Sequence, residues 1–142
     1  MESLKGRTAV VTGGTRGIGR AIAERLLREG ASVAICSRNS DSVSRAVAAM
    51  KPLGTVFGRP ADITRLEEVR EFFQAVDHEL HHLDILVNNA GQGTFRKVGE
   101  MSPEEWHRNI DLNLNGAFYC AHEALARFRG AGGFIIKPLR NR

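Results

Sequence analysis

The sequence predicts an α/β fold with three layers, in which a doubly wound parallel sheet lies between two layers of helices. Short apolar runs alternate with helical patterns along the 142 residues, and this alternation implies parallel strands joined by right-handed helical crossovers. The apolar runs are continuous rather than alternately polar, as expected of strands that are buried on both faces. The first run also ends in glycines that lead directly into a helical pattern.

The predicted strands and helices account for most of the chain. Five short apolar runs are predicted to be strands, at residues 8–12, 32–37, 55–58, 83–88 and 134–136. Four segments with apolar residues every three or four positions are predicted to be helices, at residues 18–29, 40–50, 64–80 and 102–129. We expect the last helix to be interrupted near residues 113–116, and the sheet to be truncated after about five strands.

Polar residues at the helix starts predict how the helices are capped. Asn39 or the serine after it is expected to cap the second helix. Thr64 with Glu67, and Ser102 with Glu105, have the spacing of capping boxes at the starts of the third and fourth helices.

Composition and charge exclude several classes of function. The formal net charge is +4 and only residues 137–142 are locally basic, so we expect no nucleic-acid partner. No run approaches the roughly 18 apolar residues of a membrane span, and the N-terminus has no apolar signal region, so no membrane partner is expected. Two cysteines, Cys36 and Cys120, imply no disulfide framework and fit a cytoplasmic protein.

The glycine-rich turn at residues 12–19 is the feature that first indicates a function. Gly13, Gly17 and Gly19 follow the first strand and open the first helix. Glycines let the backbone approach a ligand, and a helix N-terminus offers free N–H groups to a pyrophosphate. The predicted fold is then Rossmann-like. The spacing differs from the usual G-x-G-x-x-G pattern, so a tight turn without a ligand is the alternative.

The end of the second strand favours one of two nicotinamide cofactors. Ser37-Arg38-Asn39 contains an arginine and no acid, whereas NAD sites usually place an acid there for the ribose hydroxyls. Arginine instead meets the 2′-phosphate of NADP. With Arg16 in the glycine turn, the pattern favours NADP(H) over NAD(H); the alternative is a pair of solvated arginines.

Two later motifs follow further predicted strands. Asp62 either accepts a hydrogen bond from an adenine amino group or serves only to start the third helix. Asn88-Asn89-Ala90-Gly91 combines two amides, which can brace neighbouring strands, with small residues that admit a ligand. The alternative for this motif is a simple Asx turn.

Taken together, these residues resemble the short-chain dehydrogenase/reductase family. The glycine turn, Asp62, Asn88-Asn89-Ala90-Gly91 and Asn113 stand in the family's order and spacing, and the resemblance covers about residues 5–136. It implies an NAD(P)-binding Rossmann domain at residues 1–136, incomplete by the family's standard, followed by a non-family basic tail at residues 137–142. It also implies hydride transfer between NAD(P)(H) and a carbonyl or alcohol, usually by a homo-oligomer.

The resemblance assigns cofactor contacts to residues at the strand ends. The residues implied to hold the pyrophosphate and adenosine ribose are Gly13, Thr15, Arg16, Gly17, Ile18 and Gly19. Those implied to read the 2′-phosphate are Ser37, Arg38 and Asn39, and those implied to contact the adenine are Asp62 and Ile63. Those implied to line the ribose and nicotinamide are Asn89, Ala90 and Gly91.

Of the family's catalytic residues, the sequence matches one. Asn113 stands where the family has an asparagine that holds a water. The family's serine and Tyr-x3-Lys pair have no match, because the single tyrosine, Tyr119, is followed four residues later by Glu123. The fifth strand continues into Lys137-Pro138 instead of the serine motif. We therefore expect Tyr119 to be a packing residue and the 142-residue chain to be inactive alone; as it stands, it is a nucleotide-binding fragment.

A histidine-rich segment gives one competing pattern. His78-Glu79-Leu80-His81-His82 contains the H-E-x-x-H spacing of zinc metalloproteases. The sequence places no third ligand beside it, so we expect no metal site. The histidines are predicted to be solvated residues that complement the dipole at the end of the third helix.

Overall fold

The computed structural model describes residues 3–130 and 132–139, which form a five-stranded parallel sheet. The strands are β1 (Thr8–Thr12), β2 (Ser32–Ser37), β3 (Val56–Pro60), β4 (Ile85–Val87) and β5 (Phe134–Ile136). Their spatial order is β3-β2-β1-β4-β5, and each neighbouring pair is parallel. The order reverses direction at β1, so the predicted doubly wound α/β fold is confirmed.

Helices connect the strands, and their predicted positions are largely confirmed. They are α1 (Gly17–Arg28), α2 (Ser40–Met50), α3 (Leu66–Leu80), α4 (Pro103–Ile110) and α5 (Gly116–Leu125). A π-helical segment, Asp111–Asn115, separates α4 from α5 and is the interruption that the sequence predicts. The predicted capping box is present at α4, and the Asn39 side chain caps α2 by accepting a hydrogen bond from the Ser42 N–H.

Two buried clusters hold helices against opposite faces of the sheet. Successive residues of β1 point to opposite faces, and all five of its residues are buried. Val10 packs with Phe72 and Phe73 of α3 on one face, in a cluster that also contains Cys120 and the half-buried Tyr119. Alternate residues of β1 pack with α1 and α2 on the other face. Tyr119 is therefore a packing residue, as predicted.

The sheet is unevenly covered at β5. Phe134, Ile135 and Ile136 are 70%, 43% and 48% exposed, and β5 pairs with β4 in parallel register. Side chains of one strand point alternately to the two faces of a sheet. The described residues therefore leave apolar side chains of β5 exposed on both faces.

The start of α3 differs from the prediction. The helix begins at Leu66 with Arg65 as its N-cap residue and no capping side chain, so the capping box of Thr64 and Glu67 is wrong. The Asp62 carboxylate explains the difference. Its Oδ1 accepts hydrogen bonds from the N–H of Thr64 at 3.0 Å and from its hydroxyl at 2.7 Å. A charged acceptor two residues earlier thus holds Thr64 in an Asx turn.

A buried carboxylate, that of Asp84, holds the amino end of β1 beside the start of β4. Asp84 Oδ2 accepts the backbone N–H of Thr8 at 2.9 Å, and Oδ1 accepts Nη2 of Arg129 at 2.9 Å. Burial alone would raise the pKa of Asp84, but the hydrogen bonds from Arg129 and Thr8 lower it below the usual carboxyl value. The carboxylate is therefore the form that the fold stabilises.

No helix within residues 3–130 and 132–139 combines the length and apolar character that crossing a bilayer requires.

Candidate functional site

The glycine turn places the start of α1 at the carboxyl edge of the sheet. The Gly13 N–H donates to the Cys36 carbonyl at 2.9 Å, which anchors the turn to the end of β2. Arg16 is the N-cap residue of α1, with extended backbone and no capping side chain. Gly17 has φ +58°, and a Cβ there would meet no heavy atom within 4 Å. The first turn of α1 therefore faces open space with N–H groups that can receive an anion.

A buried hydroxyl ties this turn to the end of β4. Thr12 Oγ1 accepts the backbone N–H of Asn89 at 3.1 Å and that of Ala90 at 3.0 Å, and donates to the Val87 carbonyl at 3.4 Å. The Asn89 side-chain amide donates back to the carbonyls of Thr12 and Gly13, both at 3.1 Å. The glycine turn and the segment after β4 therefore form one hydrogen-bonded unit.

Close packing makes Gly19 part of the same unit. A Cβ at Gly19 would lie well inside van der Waals contact of the Asn89 amide and the Gly13 carbonyl. Asn88, the preceding amide, donates instead to the Ala117 carbonyl of α5 at 3.2 Å. The two asparagines thus brace neighbouring segments, as the sequence predicts.

The predicted cofactor residues converge on a cavity of about 680 Å³ at this edge of the sheet, here called the cofactor cavity. Its lining includes the following predicted residues: Gly13, Thr15, Arg16, Gly17, Ile18, Ser37, Arg38, Asp62, Ile63, Asn89, Ala90 and Gly91. Five residues that sequence reasoning did not assign also line it: Cys36, Ala61, Gln92, Leu112 and Leu139. All but Leu139 adjoin a predicted site residue in sequence, and this adjacency is the signal that could have indicated them.

Two predicted residues lie outside the lining of the cofactor cavity. Asn39 uses its side-chain oxygen to accept the Ser42 N–H at 2.9 Å, and Gly19 is buried beneath the turn. The first caps α2 and the second admits the close approach of Asn89. Their assignment as cofactor contacts stays a prediction.

Charge in the cofactor cavity is mainly positive at its rim. Arg16 and Arg38 are exposed and both line the cavity. Within the part of the chain that the structure describes, neither forms an ion pair with a carboxylate. Asp62 is the acid that lines the cavity, and its Oδ1 already accepts two hydrogen bonds from Thr64. The rim therefore presents to a ligand two exposed guanidinium groups that pair with no carboxylate of residues 3–130 and 132–139.

Asn113 lies in the π-helical segment and faces the loop after β4. Its Oδ1 accepts the Gln92 N–H at 3.1 Å, and its Nδ2 donates to the carbonyls of Gln92 at 2.7 Å and Asn109 at 3.0 Å. Single turns of π-helix occur frequently at functional sites. The side chain of Asn113 thus fixes the loop that carries Ala90 and Gly91, and its catalytic assignment stays a prediction.

A second cavity, of about 1010 Å³, is lined by Asn113 and includes no residue of the glycine turn in its lining; it is here called the distal cavity. It shares Asn89, Ala90, Gly91, Gln92 and Leu139 with the cofactor cavity. Its remaining lining comes from Asn88, the loop after Gln92, α4, Asn113 and residues 137–138. A ligand in one cavity would therefore lie next to a ligand in the other.

The histidines of the H-E-x-x-H pattern are separated by the end of α3. His81 has φ +70° and ends the helix, so His82 turns back toward β1. Its Nε2 lies 3.0 Å from the Gly6 carbonyl and 3.3 Å from Thr8 Oγ1, and the prediction that all three histidines are solvated is wrong for His82. Among the described residues, no group of three or more His, Cys, Asp or Glu could hold a metal ion.

Comparison with known proteins identifies relatives of this chain. The sequence model described as short chain dehydrogenase matches residues 7–137. The short chain dehydrogenase/reductase dpfgG of Gibberella zeae is 38% identical over 115 residues, which cover 80% of this chain and 43% of the relative. The chain thus spans about half the length of the curated relatives it matches.

Solved structures show the same relationship. The alcohol dehydrogenase of Thermococcus sibiricus, complexed with 5-hydroxy-NADP, superposes with a TM-score of 0.88 at 33% identity, over 92% of this chain and 57% of that one. A 7α-hydroxysteroid dehydrogenase complexed with NADH and 7-oxo glycochenodeoxycholic acid gives 0.89 at 30% identity, over 96% and 54%. With the matched family model, these likenesses show that the chain belongs to the short-chain dehydrogenase/reductase family.

Proposed function

We propose that these residues form the cofactor-binding part of an NADP(H)-preferring oxidoreductase, which transfers a hydride between the nicotinamide and a carbonyl or alcohol. The observation that carries the preference is the pair of exposed guanidinium groups, Arg16 and Arg38, at the rim of the cofactor cavity. The end of β2 also supplies no carboxylate there. A 2′-phosphate suits such a rim, because arginine forms charge-assisted hydrogen bonds with phosphate oxygens.

The shape of the cofactor cavity fits a dinucleotide. Gly17 leaves open space at the N-terminus of α1, where backbone N–H groups would receive the pyrophosphate. The half-buried Asp62 and the buried Ile63 would lie against the adenine, and Ala90 and Gly91 against the nicotinamide ribose. When bound, the nicotinamide ring would supply or accept the hydride. Asn113 would hold the loop beside it, because its amide fixes Gln92 from both sides.

We also propose that the 142-residue chain binds the cofactor without turnover. The single tyrosine, Tyr119, packs against the core and is followed four residues later by Glu123. No lysine therefore stands at the spacing that would activate this tyrosine as a general acid. Oxidation of NADPH by the purified chain, followed at 340 nm (roughly the reduced nicotinamide band) with a panel of ketones and aldehydes, tests this proposal. Sustained, enzyme-dependent oxidation would overturn it.

Cofactor preference is tested by titrating the 142-residue protein with NADPH and NADH in a calorimeter. We expect NADPH to bind more tightly, and Arg38→Gln to weaken NADPH by roughly tenfold or more, as the loss of a hydrogen bond to a charged group predicts. NADH affinity should change by less than about twofold, because the substitution removes no contact to a ribose hydroxyl. Arg45→Gln is the matched control, since Arg45 is an exposed arginine on α2 outside the cavity lining. Equal affinities for the two cofactors would refute the preference.

A further inference from the structure

The distal cavity combines apolar walls with a single charge. Its large apolar side chains include Phe95, which is 76% exposed, and Trp106 of α4, which is 55% exposed. Met101 adds a third apolar wall from the segment between them. Exposed aromatic side chains that rim a concave surface are typical of a binding site for an apolar ligand.

Lys137 supplies the charge. Among the described residues that line the distal cavity it is the only charged one; the other polar side-chain groups there are amides, a threonine hydroxyl and the indole N–H of Trp106. It is exposed, and it forms no ion pair within residues 3–130 and 132–139. The acid of α4 closest in sequence to Trp106, Glu105, is already engaged by Arg96 at 3.1 Å and by the Ser102 N–H. The cavity therefore has an unmatched positive charge beside aromatic walls.

We propose that the distal cavity binds a ring-bearing carboxylate, with Phe95 and Trp106 against the ring and Lys137 as the specificity-determining cation. This inference rests on the proposed function, because the distal cavity shares Ala90 and Gly91 with the cofactor cavity and so lies where a hydride acceptor would meet the nicotinamide. A neutral ring would use the aromatic walls alone, whereas an anionic one would use the walls and the ammonium group.

The test uses the protein's own fluorescence, because Trp106 is its single tryptophan. The purified 142-residue chain is titrated with 4-nitrobenzoate and with 4-nitrobenzyl alcohol, two ring compounds that quench indole emission and differ in charge. N-acetyltryptophanamide in the same buffer corrects for absorption and collisional quenching. We expect saturable quenching by both compounds, with the carboxylate bound roughly fivefold more tightly at low salt, as one solvent-screened charge contact predicts.

Two substitutions test the contributions of the Lys137 charge and of the aromatic side chains to binding separately. Lys137→Gln should remove the preference for the carboxylate and leave the affinity for the alcohol unchanged, while Phe95→Ala should weaken both ligands. Lys51→Gln is the matched control, because Lys51 is an exposed lysine at the end of α2 that lines neither cavity. Equal binding of the two compounds, or a preference that survives Lys137→Gln, would overturn the inference.

Parallel titration with NADPH distinguishes this inference from the proposed function. If NADPH binds while neither nitrobenzene compound quenches saturably, the inference about the distal cavity fails and the proposed function stands. If NADPH does not bind while the carboxylate preference and its loss in Lys137→Gln are both observed, the proposed function fails and the cavity's ligand class is supported.

Discussion

Replacement of Thr12 by valine would test whether one buried hydroxyl holds the cofactor cavity together. Thr12 is fully buried, and valine has nearly its shape without the hydroxyl. The substitution leaves the backbone N–H of Ala90 without its acceptor, whereas the N–H of Asn89 keeps the Val87 carbonyl at 3.0 Å. A buried donor deprived of its partner costs about 1–3 kcal/mol, so we expect Thr12→Val to lose about 1–3 kcal/mol of stability. That is a large share of a stability of roughly 5–15 kcal/mol.

Thr8→Val is the matched control for this substitution. Thr8 is equally buried and lies at the other end of the same strand. Its hydroxyl makes one side-chain contact, with His82 Nε2 at 3.3 Å, so the same chemical change should cost less than about 1 kcal/mol. A second variant, Thr12→Ser, keeps the hydroxyl and should retain more stability than Thr12→Val.

Urea unfolding followed by circular dichroism measures these differences as free energies of unfolding. The comparison is valid where each variant unfolds cooperatively with an unchanged dependence on urea. The reasoning is refuted if Thr12→Val loses no more stability than Thr8→Val, because the Ala90 N–H would then have found another acceptor at no cost.

Three further predictions concern packing, pH and thiol chemistry. Gly19→Ala should lower the urea midpoint, because its Cβ would overlap the Asn89 amide and a backbone carbonyl. Gly99→Ala, whose Cβ would have nothing within 4 Å, should leave the midpoint unchanged. Equal shifts of the midpoint in the two variants would contradict this reasoning. The pKa of Asp84 is lowered in the fold, so its contribution is complete above the usual carboxyl range and is lost as pH falls through the lowered pKa. Urea unfolding from pH 7 to about pH 3 should therefore show a steeper loss of stability than in Asp84→Asn, and parallel curves would exclude the effect. Burial raises the pKa of Cys36 to about 12 and also that of Cys120, so a chromogenic disulfide reagent at pH 8 should label both thiols only after unfolding, and rapid labelling of the native protein would show that they are accessible.

The strands and most helix positions could be predicted because each rests on a local pattern. A run such as residues 8–12 is apolar throughout, and a strand buried on both faces needs no more than that. The Ser102 capping box depends on two residues three apart, and it forms as expected. Thr64 has the same local pattern with Glu67, but the carboxylate of Asp62 competes for it. The capping prediction fails there because it considers only residues three positions apart and so leaves out Asp62, two positions before Thr64.

The candidate site was predictable in its composition but not in its internal bonding. The sequence places the predicted cofactor contacts at strand ends, and 12 of them line the cofactor cavity. The bonds from Thr12 to Asn89 and Ala90 span 77 and 78 positions, and no local pattern contains both partners. His82 likewise meets Thr8 across 74 positions. Such contacts follow from the strand order β3-β2-β1-β4-β5, which places β1 directly beside β4 although two strands lie between them in sequence.

Burial divides the cofactor cavity into a part that holds the fold and a part that can discriminate between ligands. Thr12, Gly19 and Asn89 are buried and bound or packed against one another, so we expect a change in any of them to lower the stability of the fold. Arg16 and Arg38 are exposed and lie outside that network, and exposed side chains without ion pairs contribute little to folding. We therefore expect substitution of either arginine to leave the fold intact, so that the proposed cofactor preference can be tested at these residues. For this reason, a shift in NADPH affinity on Arg38→Gln, at constant free energy of unfolding, would report on recognition rather than on the integrity of the cavity.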